Sequence, residues 1–154
     1  MTSIAITGHT SGLGKSFYDI CSDKGLTVKG FSRRNGYDLR DYSKVTKMID
    51  EIKGFDFFIS NAKPDYTQTQ ILYRLCQDWQ QGTIISIGSK VIEYPPTDWT
   101  DFGMLEYCTQ KMALAHAHKV LEPITKAKLI LVNPNHLGDA TDEYAGQLLE
   151  ELVF

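Results

Sequence analysis

Apolar positions along this chain alternate between two spacings. Ile4-Ala5-Ile6-Thr7 opens it as a short, mostly apolar run, as a strand covered on both faces requires. From Leu13, the apolar residues Phe17, Ile20 and Cys21 fall at helical spacing, and Gly25 stops that helix. Leu26 to Phe31 predicts a second strand carrying Val28 and Phe31. Arg33-Arg34-Asn35-Gly36 is turn chemistry, and Tyr37-Asp38-Leu39 predicts a very short further strand. Val45, Met48, Ile49 and Ile52 mark an amphipathic helix, and Phe55 to Ser60 is another nearly all-apolar strand. Asp65 to Gln81 predicts a helix with Ile71, Leu72, Leu75, Cys76 and Trp79 on its apolar side. Gly82 precedes the strand Thr83-Ile84-Ile85-Ser86-Ile87. A loop through Pro95 and Pro96 leads to a long helix from about Phe102 to Leu121, capped by Thr100 or Asp101 and broken near Pro123. Lys128 to Val132 predicts the last strand, and Tyr144, Leu148, Leu149 and Leu152 a closing helix.

Strands alternating with helices predict an α/β fold with a parallel sheet and helices on both faces. Right-handed crossovers then give a doubly wound, three-layer αβα sheet of about six strands in the order 3-2-1-4-5-6.

The 154 residues predict a single domain, residues 1–154, large enough to build a core without disulfides or a structural metal. Sixteen Lys+Arg against nineteen Asp+Glu give a net charge of −3, so no basic excess points to nucleic acid. Aliphatic runs such as Leu129-Ile130-Leu131-Val132 are too short to span a bilayer. No Lys or Arg precedes Lys15, which argues against a signal peptide. Cys21, Cys76 and Cys108 are odd in number and widely spaced. That predicts reduced thiols in a cytoplasmic protein and no zinc pattern.

The first strand runs directly into Thr7-Gly8-His9-Thr10-Ser11-Gly12-Leu13-Gly14. Glycine lets a backbone turn tightly and approach a pyrophosphate with no Cβ in the way. The helix that follows offers unpaired N–H groups to the phosphates. A glycine turn between a strand and a helix is the context that a dinucleotide site of Rossmann-like type requires. Gly14-Lys15-Ser16 imitates the end of a nucleoside-triphosphate loop, but His9 stands where that motif needs its first Gly.

Thr7-Gly-xxx-Gly12-x-Gly14 resembles the cofactor signature of the short-chain dehydrogenase/reductases, and the resemblance continues in order to about residue 135. Asp38-Leu39 resembles the family's adenine-facing Asp. Ser60-Asn61-Ala62 resembles its Asn-Ala-Gly motif. Gly82 to Ser89 resembles the strand ending in the catalytic Ser, and Tyr107-Cys-Thr-Gln-Lys111 resembles its Tyr-xxx-Lys pair. Asn133-Pro134 stands at its Pro-Gly. The resemblance implies cofactor contacts from Gly8, Thr10, Ser11, Gly12, Leu13, Gly14, Asp38, Leu39, Asn61, Ala62, Lys111 and Pro134. It implies catalysis by Ser89, Tyr107 and Lys111, and a homodimer or higher homo-oligomer.

The chemistry of these residues fits that implication. Tyr107 and Lys111 are four apart and share one helix face. A nearby ammonium favours a phenolate over a phenol, which suits proton transfer to or from an alcohol or carbonyl. Ser89 follows a strand at the end where doubly wound folds bind ligands, and its hydroxyl can hold an oxygen on which charge develops. His116 and His118 face different ways, which argues against a metal. His9 reads as a tolerated turn residue. Tyr94, Trp99 and Phe102 either wall a substrate pocket or pack their loop.

The second strand ends in Ser32-Arg33-Arg34, without the acidic residue that would hold an NAD ribose. A hydroxyl and two guanidinium groups there favour the 2′-phosphate of NADP(H), with NAD(H) as second choice.

The chain departs from the family's pattern in places. No Asn lies between Asn61 and Asn133, so the family's catalytic Asn is missing: either Gln77 or a water substitutes for it, or the proton relay is absent. Lys63 stands for the Gly of Asn-Ala-Gly, and Asn135 for the Gly of Pro-Gly. Little chain follows Pro134 for a lid and a further strand, which predicts a shallow, open pocket. The leading reading is an NADP(H)-dependent oxidoreductase acting on a small-molecule carbonyl/alcohol pair. A dinucleotide-binding sensor or scaffold without useful catalysis is the alternative.

Overall fold

A computed structural model describes residues 1–93, 101–135 and 137–154. Five strands, β1 (Ser3–Thr7), β2 (Thr27–Phe31), β3 (Phe57–Ser60), β4 (Thr83–Ile87) and β5 (Lys128–Val132), form one parallel sheet in the order β2-β1-β3-β4-β5. The helices between and after them are α1 (Gly12–Asp23), α2 (Tyr42–Ile52), α3 (Thr67–Asp78), α4 (Phe102–Leu121) and α5 (Thr141–Leu152). This is the doubly wound αβα arrangement of a Rossmann-like fold.

Strand alternation divides the core in two. Ile4, Ile6, Ile59, Ile85 and Ile87 point to one face, where Phe17 and Cys21 of α1 and Ala145 and Leu149 of α5 cover them. Ala5, Phe58 and Ile84 point to the other, under Met48 and Ile52 of α2, Leu72 and Leu75 of α3, and Leu114 and Leu121 of α4. Both faces of the strands are therefore apolar, which is why the sequence shows short apolar runs and no alternation. Polar ties dock α5 onto α1. Ser16 Oγ donates to Asp142, and Lys24 pairs with Glu150 at 3.0 Å.

The sheet has five strands where about six were expected. The missing one is Tyr37-Asp38-Leu39, at the β2 edge; without it, the expected order becomes the observed one. The segment turns back on itself instead. Tyr37 N–H bonds the Ser32 carbonyl at 2.9 Å, Arg40 N–H bonds Asp38 Oδ1 at 3.0 Å, and Asp41 N–H bonds the Asp38 carbonyl at 3.0 Å. Tyr37 and Leu39 are apolar to serve the core, both buried under α2, and Tyr37 Oη donates to Glu51 at 2.8 Å.

Helix α3 is shorter than the Asp65–Gln81 span predicted. Trp79 leaves the helix in an extended conformation and packs against Gly82, where an added Cβ would lie 1.9 Å from the indole. The Asp101 carboxylate caps α4, accepting from Gly103 N–H at 2.8 Å. Among the described residues, no helix is long and apolar enough to cross a membrane.

Candidate functional site

A cleft of about 940 Å³ opens at the C-terminal ends of the central strands. Its lining gathers Gly8, Ser11, Gly12 and Leu13 from the first turn, Asn61 and Ala62 after β3, Ser89 after β4, Tyr107 and Lys111 on α4, and Pro134 after β5. A second pocket of about 400 Å³ shares Gly8 and Ala62 with it. That pocket holds Thr10, Ser32, Arg33, Arg34, Asp38 and Leu39. Every expected site residue except Gly14 lines one of the two, and Gly14 lies underneath. Parallel strands explain this gathering: all five deliver their following loops to the same edge of the sheet.

The glycine turn is built for close approach. A Cβ on Gly14 would sit 2.0 Å from the Gly8 carbonyl oxygen and 2.5 Å from Asn61 Nδ2, so helix α1 can reach the turn only with Gly here. Gly12 has φ +55° and nothing within 4 Å of the space a Cβ would fill. Thr7 Oγ1 accepts from the N–H groups of Asn61 and Ala62 at 3.1 and 3.2 Å, and Asn61 Nδ2 donates to the Gly8 carbonyl at 3.3 Å. These bonds lock the β1 and β3 loops together. Asp41 and Asp101 cap α2 and α4 with their carboxylates, whereas Ser11 makes no side-chain cap at α1. Free amide donors, a bare Gly12 and the absence of an acidic residue in the first turn of α1 fit a dinucleotide's phosphates.

His9 does more than tolerate the turn. Its ring lies against Tyr18, with centroids 5.1 Å apart, and over Gly30, where a Cβ would come within 2.0 Å of it. The imidazole thus wedges the turn onto β2, and burial lowers its pKa.

Ser89 caps a short 3₁₀ turn, Lys90–Ile92, with Oγ accepting from Val91 N–H at 3.2 Å. Its loop is held from β5: Asn133 Oδ1 accepts from Ser89 N–H at 3.1 Å, and the Pro134 carbonyl accepts from Lys90 N–H at 3.1 Å.

Lys111 is 3% exposed. Its Nζ donates to Gln68 Oε1 at 2.7 Å and to the Ile87 carbonyl at 2.8 Å. Gln68, equally buried on α3, donates from Nε2 to the carbonyls of Ser60, at 2.8 Å, and Ile87, at 3.1 Å. Burial, with a smaller contribution from the charge of Lys63, pushes the Lys111 pKa down to about 7. Gln77, the expected substitute for the missing Asn, is exposed on the other side of α3. Gln68 is the glutamine that reaches the lysine. Sequence offered a signal for it: a polar residue just before the apolar positions Ile71, Leu72 and Leu75 of the same helix.

In the smaller pocket, Asn35 organises the turn that displays the arginines. Its Oδ1 accepts from Ser32 N–H at 2.8 Å, and its Nδ2 donates to the Gly30 carbonyl at 2.6 Å. Arg33 and Arg34 are exposed at the rim. Arg40, which the sequence reading overlooked, lines the same pocket and pairs with Asp65 at 3.2 Å.

Of the aromatic residues placed near Ser89, Phe102 is 84% exposed at the start of α4 and does not line the cleft. Tyr94 and Trp99 lie outside the described residues. His116 is exposed and His118 buried, so the two do not share a site. Burial holds His118 near a pKa of about 4. After β5, Leu137, Gly138 and Thr141 also line the cleft.

No protein-family model matches the sequence, and a comparison with curated proteins finds no match. Solved structures do match the fold. A short-chain dehydrogenase/reductase from Vibrio parahaemolyticus superposes with a TM-score of 0.78 at 15% identity, over 98% of this chain and 93% of that one. The 3-alpha-hydroxysteroid dehydrogenase of Pseudomonas sp. B-0831, complexed with NADH, gives 0.67 at 20% identity, over 96% and 88%. A GDP-L-fucose synthetase from Naegleria fowleri, also solved with NADP, gives 0.69 at 18% identity. There the match covers 88% of this chain but only 50% of the synthetase, so this chain spans about half that enzyme's length. The chain resembles short-chain dehydrogenase/reductases in fold over nearly its whole length.

Proposed function

We propose that this chain is a short-chain dehydrogenase/reductase that uses NADP(H) to interconvert a carbonyl and an alcohol. The observation that carries the reading is the common lining of one cleft by the glycine turn, Ser89, Tyr107 and Lys111, which lie far apart in sequence. The NADP- and NADH-bound neighbours support a nicotinamide dinucleotide. Ser32, Arg33 and Arg34 favour NADP(H), because guanidinium groups complement a 2′-phosphate.

A bound nicotinamide dinucleotide would supply or accept the hydride. The uncapped amides at the start of α1, with Gly12, would hold its diphosphate, and Arg33 and Arg34 its 2′-phosphate. Asp38, Leu39, Asn61, Ala62 and Pro134 would flank it along the two pockets. Ser89 Oγ already accepts from Val91 N–H, which leaves its own proton to donate to the substrate oxygen. Tyr107 transfers the proton to or from that oxygen. Lys111, poised between ammonium and amine near neutrality, exchanges protons at the tyrosine, its Nζ 5.8 Å from the ring centroid. Gln68 fixes Lys111 where the family's Asn is missing.

One observation favours the alternative, a dinucleotide-binding sensor with weak catalysis. Two protons of the Lys111 ammonium are committed to Gln68 and Ile87, which leaves one for a ribose or a proton relay. Thermal-shift titration with NADPH, NADP, NADH and NAD, followed by NADPH oxidation with a panel of carbonyl compounds, separates the readings. Stabilisation with turnover supports the enzyme, and stabilisation without turnover supports the sensor. No stabilisation by any dinucleotide overturns both. The three free thiols fit the reducing cytoplasm. Exposed Phe102, Met104, Leu105 and Met112 on α4 support a homodimer, which light scattering would test.

A further inference from the structure

The reacting end of the cleft is electrically one-sided. Among its described lining residues there is no Asp or Glu, but there are three lysines: Lys63, Lys90 and Lys111. Two of them are already engaged. Lys90 pairs with Glu93 at 3.1 Å, and Lys111 is buried with two of its protons on Gln68 and Ile87. Lys63 is exposed at the mouth, in the turn after β3, with Nζ 5.4 Å from the centroid of the Tyr107 ring. Two lysine nitrogens thus lie within 5.8 Å of the centroid of the Tyr107 ring, that of buried Lys111 and that of exposed Lys63. Two like charges this close repel each other, and an anion at the mouth would relieve that cost. The dinucleotide's phosphates have donors elsewhere, at the start of α1 and at Arg33 and Arg34.

We propose that Lys63 is a specificity residue, and that the substrate of this site carries a carboxylate or phosphate group, held by the Lys63 ammonium beside Tyr107. The reacting carbonyl in this proposal rests on the oxidoreductase reading; the anion site does not. Among the described residues no carboxylate pairs with Lys63, and a neutral carbonyl compound would supply none, so the site selects for the anionic member of an otherwise matched pair.

The test separates the two. Titration calorimetry on the wild-type protein, with and without NADP, uses benzoate, phenyl phosphate and the neutral methyl benzoate as probes. One charge-assisted contact predicts that an anionic probe binds roughly tenfold tighter than methyl benzoate. Lys63→Ala should erase that preference, Lys63→Arg restore it, and added salt weaken it. Whichever anion wins identifies the group. In the kinetic arm, the kcat/KM ratio of 4-carboxybenzaldehyde to benzaldehyde, or of glycolaldehyde phosphate to glycolaldehyde, should fall roughly tenfold in Lys63→Ala. Equal binding of anionic and neutral probes overturns the proposal. So does a Lys63→Ala variant that loses NADPH affinity but keeps the anion preference, because Lys63 would then serve the cofactor. Lys63-dependent anion binding in a protein that neither binds NADPH nor reduces a carbonyl would sink the oxidoreductase reading and leave the anion site standing.

Discussion

Lys111 Nζ lies 2.7 Å from Gln68 Oε1, so a neutral amide, not a carboxylate, holds the buried lysine of the cleft. The amide accepts from Lys111 on one side and donates to the Ser60 and Ile87 carbonyls on the other, joining α3, α4 and the ends of β3 and β4. Gln68→Leu should therefore cost stability on the order of 2–4 kcal/mol, because it takes one of two acceptors from the buried ammonium and removes the amide donor from the Ser60 carbonyl, leaving Lys111 and Ile87 only each other. It should also move the limb of the pH–rate profile that Lys111 sets to lower pH, since the charged form of Lys111 loses an acceptor. Gln68→Glu should move it up by adding a negative charge. Urea unfolding and pH–rate profiles read both effects. A profile unmoved by either variant would show that Gln68 is only packing.

The Lys111 proton also gives stability a pH dependence. The native chain releases it at about 7, whereas the ordinary value, kept by the unfolded chain, is 10.5. Between those values the unfolded state binds more protons, so this group makes stability rise with pH across that window. Below about pH 7 both states are charged and the full cost of the buried ammonium is present. Lys111→Met should flatten the rise. Urea midpoints at pH 6, 7.5 and 9 for the two proteins check this, and an equal slope in both would refute it.

Tyr107→Phe should reduce turnover by at least ~10²-fold while leaving NADPH affinity nearly intact, since the phenolic oxygen moves a proton and holds no phosphate. Ser89→Ala should cost ~10²–10³ in kcat, the scale of one lost donor to a developing oxyanion. Steady-state kinetics beside a cofactor titration distinguish these losses from misfolding. Full activity in Tyr107→Phe would remove the proposed mechanism.

Arg33→Asp should weaken NADPH binding by about tenfold or more and improve NADH, because a carboxylate repels a 2′-phosphate and accepts from ribose hydroxyls. The Asn35 bonds to Ser32 and Gly30 hold this turn together without Arg33, so the variant should fold as the wild type does. Calorimetric titration of both cofactors decides it. Equal wild-type affinity for NADPH and NADH would defeat the argument.

The sequence by itself determined the order and kind of nearly every element. Short apolar runs bounded by glycine, and apolar residues at helical spacing, are local patterns that a parallel αβα sandwich leaves in a chain. The glycine turn was legible for the same reason: a strand, three glycines and a helix within fourteen residues admit little else. Tyr107 and Lys111 were legible as a pair because four residues of helix place them on one face. Only the tertiary structure decided the rest. Tyr37 and Leu39 are as apolar as strand residues, but whether they pair with β2 or pack under α2 depends on where their backbone donors go. Gln68 and Gln77 are the same residue type nine positions apart on one helix, and only the packing of α3 against α4 decides which reaches Lys111. Lys63 reads in sequence as a departure from a glycine; its charge matters because the turn after β3 brings it within 5.4 Å of the ring centroid of Tyr107, forty-four residues later. Local periodicity writes elements into a sequence, whereas the partners of a polar side chain are fixed by contacts between segments that sequence spacing does not encode.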